Sequence, residues 1–310
     1  MTTIWRRPWF GPLASLLALY VLFSVLSPDT FLGAANLLTM TRQTVVVAIT
    51  AVGMTYVIIL GGIDLSVGSA VALTTVALAW LLKSGYGPLS ASALAALVPA
   101  LSGAVNGAFI AGLRIPAFIV TLGTMSLLRG LAKGISGEQK IDANPLGIDT
   151  WMSATDGVGL PPGVWFLAAS AALAAVALNS TVFGRHVVAI GSNEQTARLC
   201  GVPVARVRVL VYGLAGLLAG LAGVLEYATL TVGDPTDSIG LELEVIAAVV
   251  IGGASLSGGQ GSIVGTLVGA LLMTEIKTGC THVGVPNWVQ EIFTGAIIVA
   301  AVGIDRLRRK

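Results

Sequence analysis

An all-α protein whose helices cross a membrane many times is predicted from three features of the sequence. Of its 310 residues, 55% are hydrophobic and only 10% are charged, with a mean hydropathy of +0.90. A soluble domain is usually about a quarter charged, so these few charges cannot cover a globule of this size and lipid must surround most of it. Thirty-nine glycines suit transmembrane helices, where small residues let backbones approach closely. The third feature is spacing. Apolar runs about 20 residues long, the length that crosses a hydrocarbon core, follow one another along the chain.

That ruler gives about ten spans, near residues 9–27, 43–60, 65–83, 89–111, 116–134, 163–180, 207–231, 241–256, 262–279 and 287–304. They form a single transmembrane domain over residues 1–310. The first span follows Arg6 and Arg7, with Trp5 and Trp9 in the interfacial belt, and reads as an uncleaved anchor rather than a signal peptide. The eighth is short enough to be re-entrant.

Between the second and third spans lies GGIDLSVGS, residues 61–69. Gly61 and Gly62 can close one helix at positive φ. Asp64 or Ser66 can accept hydrogen bonds from the free N–H groups that open the next. A capped turn is the simpler reading. A gate or substrate-path element is the sharper one, because carboxylates inside a membrane usually face a polar cavity. Asn106, Thr121 and Thr124, polar groups on the otherwise apolar fourth and fifth spans, are further pathway candidates. Arg129, near the outer end of the fifth span, either snorkels to the interface or meets a polar group in the pathway, snorkelling being the simpler account. Glu226, Glu242 and Glu244 flank the loop between the seventh and eighth spans, and Glu275 lies towards the end of the ninth. Each is either solvated at a helix end or a substrate contact.

Two segments outside the spans are long. Residues 137–162 carry Glu138, Asp142, Asp149 and Asp156 against Lys140 and read as an irregular external loop. Residues 181–206 are net basic, as are both termini, so the positive-inside rule places this loop and both termini in the cytoplasm. Within it, SNEQTARLCG reads as a helix of about two turns. Ser192 or Asn193 supplies the cap, with capping-box spacing from Ser192 to Gln195, and Gly201 before Val202-Pro203 supplies the stop. Glu194 and Arg198 form an i,i+4 pair, and Leu199 adds an apolar surface suited to a groove in a soluble partner. Lying flat on the bilayer is the alternative.

Residues 252–257, GGASLS, repeat the wording of residues 61–66, GGIDLS, and the span count puts both turns on one side of the membrane. An inverted repeat would need opposite sides.

Absences narrow the function. There is no G-x-x-x-x-G-K-[ST] phosphate loop and no G-x-S-x-G elbow, and His186 and His282 have no second histidine near them. Cys200 and Cys280, expected in loops on opposite sides, make neither a disulfide framework nor a metal site. No catalytic residue, metal or cofactor is expected.

GGIDLSVGS, IPAFIVTLGTMSLLRG, RHVVAIGSNEQTARLCGV and ELEVIAAVVIGGASLSGGQGSIVGTLVGA, in that order, resemble the ribose-type family of ABC transporter permeases. The resemblance runs from about residue 36 to the C-terminus. It implies the ABC importer permease fold and a bacterial inner-membrane subunit for a monosaccharide or related polyol. It also implies three protein partners: an ATP-binding cassette subunit that binds the ATP, a periplasmic sugar-binding protein, and a second permease copy or paralogue. No nucleic-acid partner is implied. On this resemblance Asn193, Glu194, Arg198, Leu199 and Gly201 belong to the coupling helix that the ATPase grips. Gly61, Gly62, Asp64, Ser66, Asn106, Thr121 and Thr124 remain gate or pathway candidates from the residues themselves. The rival readings are an ion-coupled secondary transporter and an ABC permease for another small solute such as a branched-chain amino acid.

Overall fold

The computed structural model describes residues 10–308 apart from Val158. The predicted anchors Trp5, Arg6, Arg7, Trp9, Arg309 and Lys310 lie outside the described residues, as do the side chains of Arg306 and Arg308. In chain order the helices are α1 (Phe10–Leu26), α2 (Pro28–Phe31), α3 (Ala34–Ile59), α4 (Val67–Lys83), α5 (Pro88–Leu113), α6 (Ala117–Ser136), α7 (Thr150–Ser153), α8 (Pro162–Ser180), α9 (Val182–Ser192), α10 (Glu194–Leu199), α11 (Val204–Leu230), α12 (Leu241–Ile251), α13 (Ile263–His282) and α14 (Asn287–Arg308). Prolines open α5 and α8 at the position where a helix needs no N–H.

A helix stands in each of the ten predicted spans. Among the described residues, α3, α5, α6, α8, α11 and α13 are long and apolar enough to cross a membrane, and α1 and α4 are shorter apolar helices. Six helices therefore meet the length and apolarity of a crossing among the described residues, and the expected count of ten is not confirmed. At 11 residues α12 is the short one, as anticipated.

The core is built on α3, buried without a break from Thr44 to Ile59. A helix apolar on every face suits either a protein core or lipid, and burial on every face puts this one in the core. Helix α11 lies against α5, α3 and α4, and its contact with α5 depends on small residues. A Cβ added at Gly216 would stand 2.1 Å from the Pro99 carbonyl oxygen, and one at Gly220 would stand 2.5 Å from that of Ala96. Gly216 and Gly220 are four residues apart, the small-xxx-small spacing that lets membrane helices pack backbone to backbone. A buried hydroxyl pair, Thr55 and Thr266 at 2.7 Å, ties α3 to α13, and the Tyr56 hydroxyl donates to the Ala174 carbonyl on α8.

The external segment is less irregular than expected. Residues β1 (Ile141–Asp142) pair antiparallel with β2 (Val232–Gly233), Lys140 bridges Asp234 at 3.0 Å, and α7 adds one helical turn. Arg42 on α3 donates to the Ser153 carbonyl at 3.2 Å, which ties α3 to the end of α7. Cys200 is exposed, but Cys280 is buried within α13 beside Phe23 and Phe31 rather than in a loop, and both are free thiols.

Candidate functional site: a braced helix and a broken one

GGIDLS is a helix stop followed by a side-chain turn. The Gly61 N–H donates to Ile58 and the Gly62 N–H to Val57, each at 2.9 Å, with Gly61 at φ +86°. These paired bonds satisfy the last carbonyls of α3 and need a left-handed residue at Gly61. Two residues on, Asp64 Oδ1 accepts from the Ser66 N–H at 2.9 Å and from its hydroxyl at 2.6 Å. Asp64, Ser66 and Thr121 are all buried. The Thr121 hydroxyl donates to the Ile63 carbonyl at 3.3 Å, and Thr124 donates to Asn106 Oδ1 at 2.6 Å. The pathway candidates thus meet in one polar seam joining the broken backbone to α5 and α6. Gly61 and Gly62 line a cleft. That cleft, about 410 Å³, is shared with Arg114, Glu194, Arg208 and Tyr212.

GGASLS closes α12 by the same paired bonds, one residue out of register. Gly253, at φ +93°, donates to Val250, and Ala254 donates to Val249. Ser255 takes the place of Asp64, its hydroxyl oxygen accepting from the Ser257 N–H at 3.3 Å. The likeness stops there. Ser262 caps α13, accepting from the Gly265 N–H, whereas Ser69 lies inside α4. The two turns sit side by side, with Gly259 N–H donating to the Ile59 carbonyl at 2.8 Å.

The predicted short helix is α10. Its cap is Asn193, whose side chain accepts from the Thr196 N–H at 2.9 Å. The Ser192–Gln195 capping box does not form, because the Ser192 hydroxyl turns back to the Val188 carbonyl as the last residue of α9. Gly201, at φ +80°, closes the far end. Leu199 is 89% exposed and Ala197 is buried, so α10 rests on one face and offers the other.

Three ties anchor it. Glu194 bridges Arg198 at 2.7 Å within α10 and reaches Arg208 on α11 through both carboxylate oxygens. Partial burial of Glu194 opposes its ionisation, but the Arg208 and Arg198 guanidiniums outweigh it and hold the carboxyl below the usual range. Next, α9 meets the end of α3. A Cβ at Gly191 would stand 1.8 Å from the Ile59 carbonyl oxygen and 2.6 Å from the Gly259 nitrogen. Finally, Tyr212 stands one helical turn beyond Arg208 on the same face of α11, and its hydroxyl would touch a Cβ at Gly62 at 2.3 Å. That hydroxyl is buried with no partner among the described residues.

Arg208 and Tyr212 belong to no motif of the sequence. An arginine and a tyrosine at i,i+4 on an apolar helix was the available signal. Arg129 proves to be neither a snorkelling side chain nor an open one: it donates to the carbonyls of Pro235 at 2.8 Å and Asp237 at 2.7 Å, fastening the external loop to α6. Glu275 is buried with neither carboxylate oxygen partnered among the described residues, so it is not a solvated helix end.

Residues 36–302 match the model of a family described as the branched-chain amino acid transport system permease component. The chain belongs to this permease family. It is 40% identical over 309 residues to ribose import permease protein RbsC of Escherichia coli (strain K12), covering 98% of this chain and 96% of that protein. It is 38% identical to RbsC of Bacillus subtilis (strain 168), covering 96% and 92%. It is 36% identical to L-arabinose ABC transporter permease protein AraH of Azospirillum brasilense, covering 94% and 86%. No solved structure matches. As a permease component this is a transport subunit and not an enzyme, and the family resemblance drawn from its four motifs holds.

Proposed function

We propose that the chain is the permease subunit of an ATP-driven importer for a monosaccharide in a bacterial inner membrane. It crosses about ten times with both termini in the cytoplasm, and it works beside a second permease copy or paralogue. A partner ATPase binds the ATP, and a periplasmic binding protein delivers the sugar. The names of the relatives, for ribose and arabinose, support the sugar class over a branched-chain amino acid.

The observation that carries the mechanism is α10: an exposed apolar tip on a base braced to the broken backbone at Gly61. ATP-driven closure of the partner presses on Leu199 and Arg198. The push passes through Glu194 and Arg208 along α11, and through Gly191 into the end of α3. The turn from Gly61 to Ser66 is where α3 and α4 can change their relative angle, because no helical hydrogen bond crosses it. Asp64 is then a hinge residue that keeps the turn intact, and the seam to Asn106, Thr121 and Thr124 carries the movement to α5 and α6.

A tagged pull-down from detergent tests this. The expected result is co-purification of a soluble protein with ATPase activity, lost when Leu199→Asp is introduced although membrane levels hold. A chain that purifies alone and moves solute down an ion gradient would sink the proposal and favour the secondary-transporter reading.

A further inference from the structure

Three tyrosines are fully buried among the described residues, and one of them is treated differently. Tyr56 donates to the Ala174 carbonyl, and Tyr227 donates to the Ala143 carbonyl at 3.3 Å. The Tyr212 hydroxyl, on a residue 1% exposed, has no partner among the described residues. Bulk water does not reach it either. A buried hydroxyl without a partner costs stability, so in this conformation phenylalanine would serve α11 at least as well.

The surroundings hold one matching defect. The hydroxyl rests on the backbone at Gly62, where an added Cβ would lie 2.3 Å from it. Asp64 stands two residues further along the same turn and is buried as well. Its Oδ1 takes both bonds from Ser66, at 2.9 and 2.6 Å, and its Oδ2 accepts none among the described residues. Asp64 and Arg208 are the charged groups whose fields reach the Tyr212 hydroxyl. Arg208 only donates, and the oxygens of nearby Glu194 are taken by Arg208 and Arg198. The charged acceptor with a free oxygen is therefore Asp64. A bond from Tyr212 would use that oxygen and leave the Ser66 bonds in place.

There is room for the two groups to approach. The cleft of about 410 Å³ beside the turn is lined by Gly61, Gly62 and Tyr212, so the turn can shift on that side without displacing packed side chains. The donor also sits on the element that α10 moves. Tyr212 lies one helical turn from Arg208, which holds Glu194 at the start of α10.

We infer that Tyr212 donates a hydrogen bond to Asp64 Oδ2 in the other state of the transport cycle, and that the two groups are parted in the state described here. A bond made in one state and absent from the other shifts the balance between them. Tyr212 is then a positioning residue, handing movement of α11 to the turn between α3 and α4. This rests on the ATP-driven reading above.

Tyr212→Phe in the complete importer tests it. Uptake of radiolabelled ribose and arabinose is measured in cells and ATP hydrolysis in the purified complex. Melting temperature is read twice, on the resting complex and on the complex trapped with ATP and vanadate. The expected result is uptake about tenfold lower, roughly the loss of one hydrogen bond to a charged group, with hydrolysis retained. The melting temperature holds or rises in one form and falls in the other. In an Asp64→Asn background that split shrinks, because the charged acceptor is gone. A merely structural tyrosine would lower both temperatures alike, and that result overturns the inference. So does unchanged uptake, failure of Tyr212→Phe to accumulate in the membrane, or a split undiminished by Asp64→Asn. The split is read without a substrate. If the unaltered complex takes up neither sugar and the split still appears, the sugar reading falls and the pair stands.

Discussion

The two ends of this permease are held by different kinds of contact. Around α9 and α10 backbone meets backbone, Gly191 on the Ile59 carbonyl and Gly258 on Gly191, beside the Glu194–Arg208 bridge. Around the outer loop the contacts are long side chains reaching over: Arg129 to two carbonyls, Lys140 to Asp234, Lys277 to Glu244. Backbone contacts cannot stretch, so a push at one is delivered at the other. Side-chain contacts can break and re-form one at a time. The end that carries α10 is built to transmit and the end at β1 and β2 to rearrange.

Three substitutions test that contrast, in falling order of effect. Gly191→Ala puts a methyl group into the Ile59 carbonyl, and nothing flexible can yield. Overpacking of this kind costs about 1–3 kcal/mol, and the upper end is expected here, read as a lowered melting temperature in detergent with uptake lost. A stable, active variant would mean that α9 and α3 slide freely.

Arg208→Met comes next. It leaves Glu194 paired with Arg198 but cuts α10 from α11. Residues along a coupling route are typically worth about 0.5–2 kcal/mol, a roughly two- to thirtyfold loss of uptake. ATP hydrolysis in the assembled complex should persist, and unchanged uptake would remove Arg208 from the route. The paired exchange Glu194→Arg with Arg198→Glu is also harmful, because it sets the new cation against Arg208. The lowered pKa of Glu194 adds a pH test. A carboxylate whose pKa falls on folding contributes above its unfolded value and loses that contribution as pH drops through its folded one. Coupling should therefore hold from neutral pH down to about 4.3, the ordinary Glu value, and weaken only below it.

Lys140→Gln is the mildest. Burial resists ionisation of Asp234, but the hydroxyl and N–H of Thr236 and the Lys140 ammonium together hold it below the usual range, so two of three supports survive. Lys140 is largely exposed, and exposed pairs contribute at most about 1 kcal/mol. Melting temperature and uptake should scarcely move. A large fall in either would make the outer end as stiff as the inner.

The sequence disclosed what is local. Apolar runs located the helices, paired glycines located both broken turns, and Asn193 with Gly201 bounded α10. What it concealed depends on distant partners. Glu194 and Arg208 are fourteen residues apart, beyond any helical period. The pairing of Ile141 with Gly233 has no alternation to announce it in two-residue strands. Helix α9 was hidden because its eleven residues give no span-length run. For the pathway candidates, composition flagged Asp64, Asn106, Thr121 and Thr124 as polar in an apolar setting, but only the fold shows them bonded to one another or to backbone.

The short helix α12 has an electrical consequence. Its eleven residues make about 16 Å of helix, roughly half the thickness of a hydrocarbon core. Past Ile251 the chain is irregular as far as Ser262, and irregular backbone at membrane depth needs protein or water around it. Wherever water follows that backbone inwards, the insulating layer is thinner and the membrane voltage drops over a shorter distance. Glu242 and Glu244, in the first turn of α12, then sit at the edge of a steeper field than any charge on the full-length helices. Where water does so, part of the membrane voltage falls across α12 and acts on these two carboxylates.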